Sequence, residues 1–246
     1  MIISILCPTR GRPTNLHRLV KSAIDMATRK DQLEFVFYVD DDDLLGQAGL
    51  KEIEETYSYA IIKKCIGPRI ILTETWNVCY RNSSGEIFMH CGDDIEFKTS
   101  NWDEIVRHSF IKSEDKILFA HGTDGANHDR FGTHGFVHSN WINTVGYFLP
   151  PYFSSDYADT WLNDVSNKIG RRKYIPIYTM HHHPIFGLAE WDQTHQERLA
   201  RHNRDNVAEI YASKAIERDI DALKLKNFIL EFQINKLIKF NEEKYA

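Results

Sequence analysis

Short runs of β-branched, aliphatic and aromatic residues alternate with longer stretches of helical periodicity through most of the chain. The clearest runs are Ile2–Cys7, Glu34–Val39, Glu86–Cys91 and Lys116–His121. Such runs read as buried strands, whereas Leu16, Leu19, Val20, Ala23 and Ile24 recur at helical spacing. Parallel strands need a crossover between them, so this alternation predicts an α/β fold with a mostly parallel sheet flanked by helices. Further helices are expected at Leu50–Tyr59, Glu74–Asn82, Asn101–Ile111 and Tyr157–Ile169, with strands at Ala60–Ile66 and Lys173–Met180. Thr14 is the expected cap of the first helix. From Gly122 to Tyr147 the periodicity is lost in Gly, His, Asn and aromatic residues, so this segment reads as loop.

At 246 residues the chain has room for one large domain or two small ones. Its 35 acids against 30 lysines and arginines give a net charge of −5, which argues against a coat for a polyphosphate backbone. No apolar run is long enough to span a bilayer. Met1–Cys7 is too short and lacks the basic flank of a signal peptide, so a cytoplasmic location without membrane insertion is expected. Cys7, Cys65, Cys79 and Cys91 form no C-x-x-C pair and read as reduced thiols.

Acids gather where strands end, which is where open α/β sheets collect their ligands. Asp40–Asp43 follows the second strand, and Asp40 is placed to accept hydrogen bonds from a base or ribose. The alternative for this run is a solvated turn. Asp93-Asp94-Ile95-Glu96 follows Glu86–Cys91, and paired acids there suit Mg²⁺ or Mn²⁺, which prefer oxygen ligands and bridge phosphates. The alternative is a turn or helix start. Asp156 and Asp159 open a helix, either as its cap and capping-box partner or as a general base for an acceptor hydroxyl.

The loop Thr9-Arg10-Gly11-Arg12-Pro13 offers two guanidinium forks and a helix N-terminus to a diphosphate. It matches neither G-x-x-x-x-G-K-[ST] nor G-x-G-x-x-G, which lowers support for kinase-like and dinucleotide-binding readings. His181-His182-His183 cannot all face one ion from a strand, because successive side chains alternate in direction. The aromatics Trp141, Tyr147, Phe148, Tyr152 and Phe153 serve either as core or as a stacking surface for an acceptor. After Trp191 there is no Pro or Gly, and Ile216, Ile220, Leu223, Asn227, Leu230, Ile234 and Leu237 follow a 4-3-4-3-4-3 spacing. That seam predicts a C-terminal helical extension, packed on its own domain or serving as a homo-oligomer contact.

Taken in order, these pieces resemble glycosyltransferase family 2 enzymes with a GT-A fold. The matching segments are Cys7-Pro8-Thr9-Arg10, Asp40, Trp76-Asn77, Ser84-Gly85-Glu86, Asp93-Asp94-Ile95-Glu96, Ala158-Asp159 and Gly170–Tyr174 followed by a histidine. The resemblance covers about residues 2–184. It implies a metal-dependent transfer of a sugar from a nucleoside diphosphate sugar, UDP-linked by preference, to an acceptor hydroxyl.

By that resemblance Pro8, Thr9, Arg10, Arg12, Asp40, Asn77 and Asp93 hold the donor nucleotide. Asp94, Glu96 and one of His181, His182 and His183, by preference His183, hold Mn²⁺ or Mg²⁺, and Asp159, with Asp156 as rival, is the base of an inverting transfer. Residues 1–97 then form the donor half, 98–190 the acceptor half and 191–246 the helical extension. The family's usual Glu-Asp pair is here Ala158-Asp159, and its D-x-D is here Gly92-Asp93-Asp94 or Asp94-Ile95-Glu96. The sequence leaves open the sugar, the stereochemistry and the acceptor, which is a glycan, a protein or a modified nucleobase. Two other classes compete: a non-catalytic nucleotide- or glycan-binding module, and a sugar-phosphate nucleotidyltransferase. The latter favours a Gly-rich first loop with a lysine, and this loop has one Gly and no Lys.

Overall fold

The computed structural model describes residues 1–245. The first half alternates as the sequence predicts: β1 (Ile3–Thr9), α1 (Pro13–Met26), β2 (Leu33–Asp40), α2 (Leu44–Thr56), β3 (Ile61–Gly67), α3 (Leu72–Arg81) and β4 (Ile87–His90). Then follow β5 (Ile95–Phe97), α4 (Trp102–Lys112), β6 (Phe119–Thr123), β7 (Gly135–His138), α5 (Ser139–Val145), α6 (Ala158–Lys168) and β8 (Arg172–His181). Three helices close the chain: α7 (Gln193–Arg204), α8 (Val207–Ser213) and α9 (Ala215–Tyr245).

The strands form one eight-stranded sheet in the order β3-β2-β1-β4-β7-β6-β8-β5. The β3-β2-β1-β4 block and the β6–β8 pair are parallel, and β7 and β5 enter antiparallel. Strand alternation divides the core between two layers. Ile3, Ile5, Phe35 and Phe37 face α1, α2 and α4 through Leu19, Ile53 and Trp102. Leu6, Val36 and Phe88 face the opposite layer, built on Trp76, Trp141, Trp161 and Leu225. With both faces covered, all of β2 is buried, which is why Phe35–Val39 reads as continuously apolar.

Several local expectations are corrected. Arg12, not Thr14, is the N-cap of α1, because Pro13 takes the first helical position, where its fixed φ suits the helix and its missing N–H costs nothing. Helix α2 starts at Leu44 rather than Leu50, since Asp43 caps it by accepting from Gly46 N at 3.0 Å. The early start is permitted by Gly49, where a Cβ would lie 2.6 Å from Pro13 Cβ of α1. The stretch from Gly122 is not all loop, for β7 and α5 lie within it. At four residues β7 carries too little alternation to read, and it is held by pairing on both sides, Phe88 with Val137 and Ala120 with Phe136. Trp141, Phe148 and Phe153 are buried in the second layer and offer no face to an acceptor. All four cysteines are free thiols, Cys65 half-buried and the others buried. Among the described residues, no helix is long and apolar enough to cross a membrane.

Candidate active site

The C-terminal ends of β1, β2 and β4 open into a cleft of about 520 Å³, closed from the other side by the α6 start, the end of β8 and α7. Trp76 fastens its floor by donating to Leu6 O at 3.1 Å and Cys91 O at 3.2 Å, which ties β1 to the turn after β4.

Pro8, Thr9, Arg10, Arg12, Asp40, Asp93, Asp94, Asp156, Asp159 and His183 all line this cleft. Thr9 Oγ1 donates to Asp93 Oδ2 at 2.7 Å, and Arg12 Nη1 donates to Asp93 Oδ1 at 3.1 Å. Arg10 Nη1 donates to Asp40 Oδ2 at 2.8 Å and also engages Asp42. The four-acid run is therefore divided by role: Asp40 faces the cleft, Asp42 anchors Arg10, and Asp43 caps α2 while accepting from Gly11 N at 2.7 Å. Burial raises the Asp40 carboxyl despite Arg10.

Two residues singled out from sequence are not brought to the cleft. Asn77 is buried behind it, bonded to Leu149 through O at 2.9 Å and N at 3.0 Å, where it ties α3 to the chain after α5. Glu96 lies on the far side of β5, accepting from Lys98 at 2.6 Å and facing His182 Nε2 at 2.9 Å.

The antiparallel β5–β8 pair places Ile95 beside His181 and so carries the histidine run to the acid pair. Alternation sends His181 and His183 into the cleft and His182 away. His181 Nε2 is 3.4 Å from Asp94 Oδ2. His183 Nδ1 instead accepts from Ile185 N at 3.2 Å, and its ring packs on His195. Burial lowers His183 to about 4 and His134, whose ring centroid lies 4.9 Å from that of His181, to about 3. Both are neutral imidazoles at physiological pH. Burial pushes Asp93 up to about 6, with Arg12 opposing and Asp94 adding to the rise. For Asp94 burial acts in the same upward sense, but the His181 hydrogen bond and charge outweigh it and hold the carboxyl well below the usual range.

These residues fit a divalent cation. Among the described residues no group of three or more His, Cys, Asp or Glu side chains forms a complete cage. Asp94 and His181 do stand together, with buried His181 Nδ1 and His134 Nε2 left without hydrogen-bond partners. Few protein ligands plus substrate phosphates is the usual arrangement for a nucleotide-bound divalent ion.

Asp156 and Asp159 face the cleft from the same turn, but neither caps α6. The N-cap position is Tyr157, at φ 75°, with no side-chain hydrogen bond to the helix. Asp156 is engaged by Arg198 Nε at 2.9 Å and His202 Nδ1 at 2.6 Å. Among the described residues Asp159 accepts only from Thr160, and burial pushes it up to about 6.

No known protein family and no curated protein matches the sequence. Solved structures do match. Mannosyltransferase PcManGT from Pyrobaculum calidifontis, in complex with GDP-Man and Mn²⁺, aligns over 98% of this chain and 79% of its own at 11% identity and TM-score 0.61. GalNAc-T7 with UDP, GalNAc and Mn²⁺ aligns over 74% and 44% at 13% identity and TM-score 0.58. S. aureus TarS aligns over 82% of this chain and 43% of its own at 13% identity and TM-score 0.56. The chain has the GT-A fold. This chain thus spans less than half the length of the full TarS structure. In this GT-A fold, α7 belongs to the cleft wall and is not an appendage beyond it, for Arg12 forks onto Asp192 at 2.7 and 2.8 Å and Thr194 donates to Arg10 O at 3.0 Å.

The GT-A cleft also contains His181, one of the three histidines left open as the metal ligand, and residues given no role from the sequence: His134, Arg69, His195, Arg198 and Arg201. Only the last group had a legible signal, the basic run Arg198–Arg204 in an otherwise acidic chain.

Proposed function

We propose that this protein is a metal-dependent glycosyltransferase. It moves a sugar from a nucleoside diphosphate sugar, UDP-linked by preference, to an acceptor hydroxyl with inversion at the anomeric carbon. The observation that carries this reading is one cleft holding the braced Asp93–Asp94 pair, His181 and the carboxylate of Asp159, which accepts from Thr160. The structural neighbours support the donor class, since PcManGT is in complex with GDP-Man and TarS with UDP and UDP-GlcNAc.

Residues 1–97 supply the donor half. Asp40 receives hydrogen bonds from the base, Pro8 and Thr9 border it, and Arg10 holds Asp40 in place. Asp93, oriented by Thr9 and Arg12, accepts from the ribose. Asp94 and His181 hold the divalent ion, with His183 as the rival ligand. The ion, when bound, offsets charge developing on the diphosphate leaving group. The cleft arginines add to that stabilisation from fixed positions.

Residues 98–190 supply the acceptor half. Asp159 takes the proton from the acceptor oxygen as that oxygen attacks the anomeric carbon and the bond to the diphosphate breaks. A raised carboxyl is suited to this work. Asp156, held by Arg198 and His202, orients α7 instead. Phe186 stands exposed at the rim, with Trp191 nearby, and their faces suit the apolar face of a sugar or a base. Among the described residues no lysine lines the cleft, which disfavours the nucleotidyltransferase reading.

A thermal-shift panel of UDP, GDP, CDP, ADP and TDP, with and without Mn²⁺, on wild type and Asp94→Ala tests this reading. Ligand at about 100 times Kd adds roughly 2.7 kcal/mol. A Mn²⁺-dependent shift with one nucleotide, lost in the variant, is expected. No shift with any nucleotide would leave the binding-module reading, with a glycan as ligand, in front.

A further inference from the structure

Helix α9 has two faces of opposite character. On one, Arg218, Asp221, Ala222 and Leu225 are buried, with Phe228 and Ile229 packed beside them. Asp221 accepts from Tyr147 Oη and from Trp161 Nε1 at 3.1 Å, and Arg218 Nε reaches Asp164 Oδ2 at 2.7 Å. On the other face Ile216, Ile220, Leu223, Leu230, Ile234 and Leu237 are 71, 46, 58, 56, 46 and 63% exposed. The predicted 4-3-4-3-4-3 seam is thus the face the protein's own domain leaves uncovered.

In heptad terms Ile220, Asn227 and Ile234 occupy a positions, and Ile216, Leu223, Leu230 and Leu237 occupy d positions. The residues packed on the domain fall at b, c and f, on the side opposite the seam. Domain packing and coiled-coil pairing therefore do not compete for the same surface. β-Branched residues at a with leucine at d favour two parallel strands, and one Asn at a sets register.

The flanking charges agree. In a parallel pair each g residue meets the e residue five positions on in the other helix. Asp219 then meets the partner's Lys224, and Lys226 meets the partner's Glu231. Both pairs are of opposite sign. Within one chain Asp219 already engages Lys168 through Oδ1 at 2.9 Å, which leaves Oδ2 free to accept. Lys224 donates one of its three N–H groups to Val145 O at 3.2 Å. The seam runs for three heptads, roughly 30 Å at 1.5 Å per residue, the length at which such a repeat becomes a credible coil.

We propose that α9 forms a parallel, in-register two-stranded coiled coil with α9 of a second copy of this chain. The occupant of the apolar face is the same face of an identical helix, and the assembly is a two-fold homodimer carrying two clefts. This inference is independent of the reaction proposed above.

Sedimentation equilibrium of the full chain at about 20 μM tests it. The expected mass is twice 28.7 kDa. The double variant L223E/L230E is expected to weaken association by more than about 100-fold, because four buried leucines are lost per dimer. Its far-UV circular dichroism and nucleotide-induced thermal shift should match wild type, since both residues point away from domain and cleft. K226E sets like charges against the partner's Glu231 and should weaken the dimer. K226E/E231K restores the attraction and should restore association. A monomeric or trimeric wild type, or a dimer that survives L223E/L230E, overturns the proposal. A dimer lost in L223E/L230E but indifferent to both charge variants overturns the parallel register.

Discussion

Asp156 and Asp159 lie within one helical turn of each other, yet Asp156 is held by Arg198 and His202 while Asp159 is met by no cation. The two carboxylates consequently take different work. Asp159→Asn is expected to lower kcat by about 10²–10⁴ with donor affinity retained, the range for loss of a general base. Asp156→Asn should change kcat less than about tenfold but lower Tm, because the Arg198 guanidinium loses its counter-charge and α7 loosens. Steady-state kinetics with a nucleotide-release assay, beside a melting curve, separates the two effects.

The pH dependence follows from the same carboxyl. Burial lifts Asp159 from 3.8 to about 6. As a base it must be ionised, so kcat should rise about tenfold per pH unit below 6 and level off above it. The stability effect has the opposite sense. A folded-state value above the unfolded one means that ionisation disfavours the fold; the penalty is absent below about pH 4 and complete above about pH 6. Asp159→Asn should therefore be more stable than wild type at pH 7, by up to about 3 kcal/mol for a rise of some two units, and equal to it at pH 3.5. Urea denaturation at the two pH values checks the sign.

The ligand assignment is tested by titrating Mn²⁺ calorimetrically in the presence of UDP. Asp94→Ala should abolish the ion-dependent heat, and His181→Ala should weaken ion binding at least about tenfold. His182→Ala should leave it unchanged, because that ring faces Glu96 outside the cleft. A loss in His183→Ala with His181→Ala unaffected would move the ligand to His183. Chelation of the ion should remove the nucleotide shift altogether.

Arg12 joins the acid pair to α7, bonding Asp93 on one side and Asp192 on the other. Arg12→Met leaves Asp93 without its cation and should cost about 3 kcal/mol, the scale for breaking a largely buried ion pair. Asp192→Asn keeps the acids compensated and should instead raise hydrogen exchange across residues 193–204. Burial tends to raise Asp192, but Arg12 holds it down at about 2, so the latch stays closed throughout the neutral range.

Gly122 sits where β6 crosses β8. A Cβ there would lie 2.3 Å from Ile177 O, a backbone atom that cannot turn aside. Gly122→Ala should destabilise by about 1–3 kcal/mol, the cost of overpacking a filled site. Nucleotide affinity of the folded fraction should be unchanged, which a melting curve with and without ligand will show.

The parts of this molecule that could be read in advance are those whose cause is local. The run Glu34–Val39 announces β2 because both its faces are buried, and the acids after β2 and β4 stand at strand ends where the cleft opens. The rest depends on pairing between distant segments. His181 becomes a neighbour of Asp94 only because β5, three residues long, pairs with the end of β8, and nothing in Ile95–Phe97 alone marks a strand. Asn77 sits on a helix beside the cleft, but the chain after α5 claims both ends of its amide. Arg198 and Arg201 come after the last strand, and long-range pairs bring them over the cleft, Arg12 with Asp192, Thr194 with Arg10 and Arg198 with Asp156.

The Arg12–Asp192 pairing joins positions 180 apart in the chain, for the loop at Thr9–Arg12 is completed by residues 192–201. Closing so long a loop is entropically costly, and the contacts that close it come from side chains rather than from strand pairing. The far wall is therefore hinged where the sheet is welded, and freeing α7 breaks no ladder.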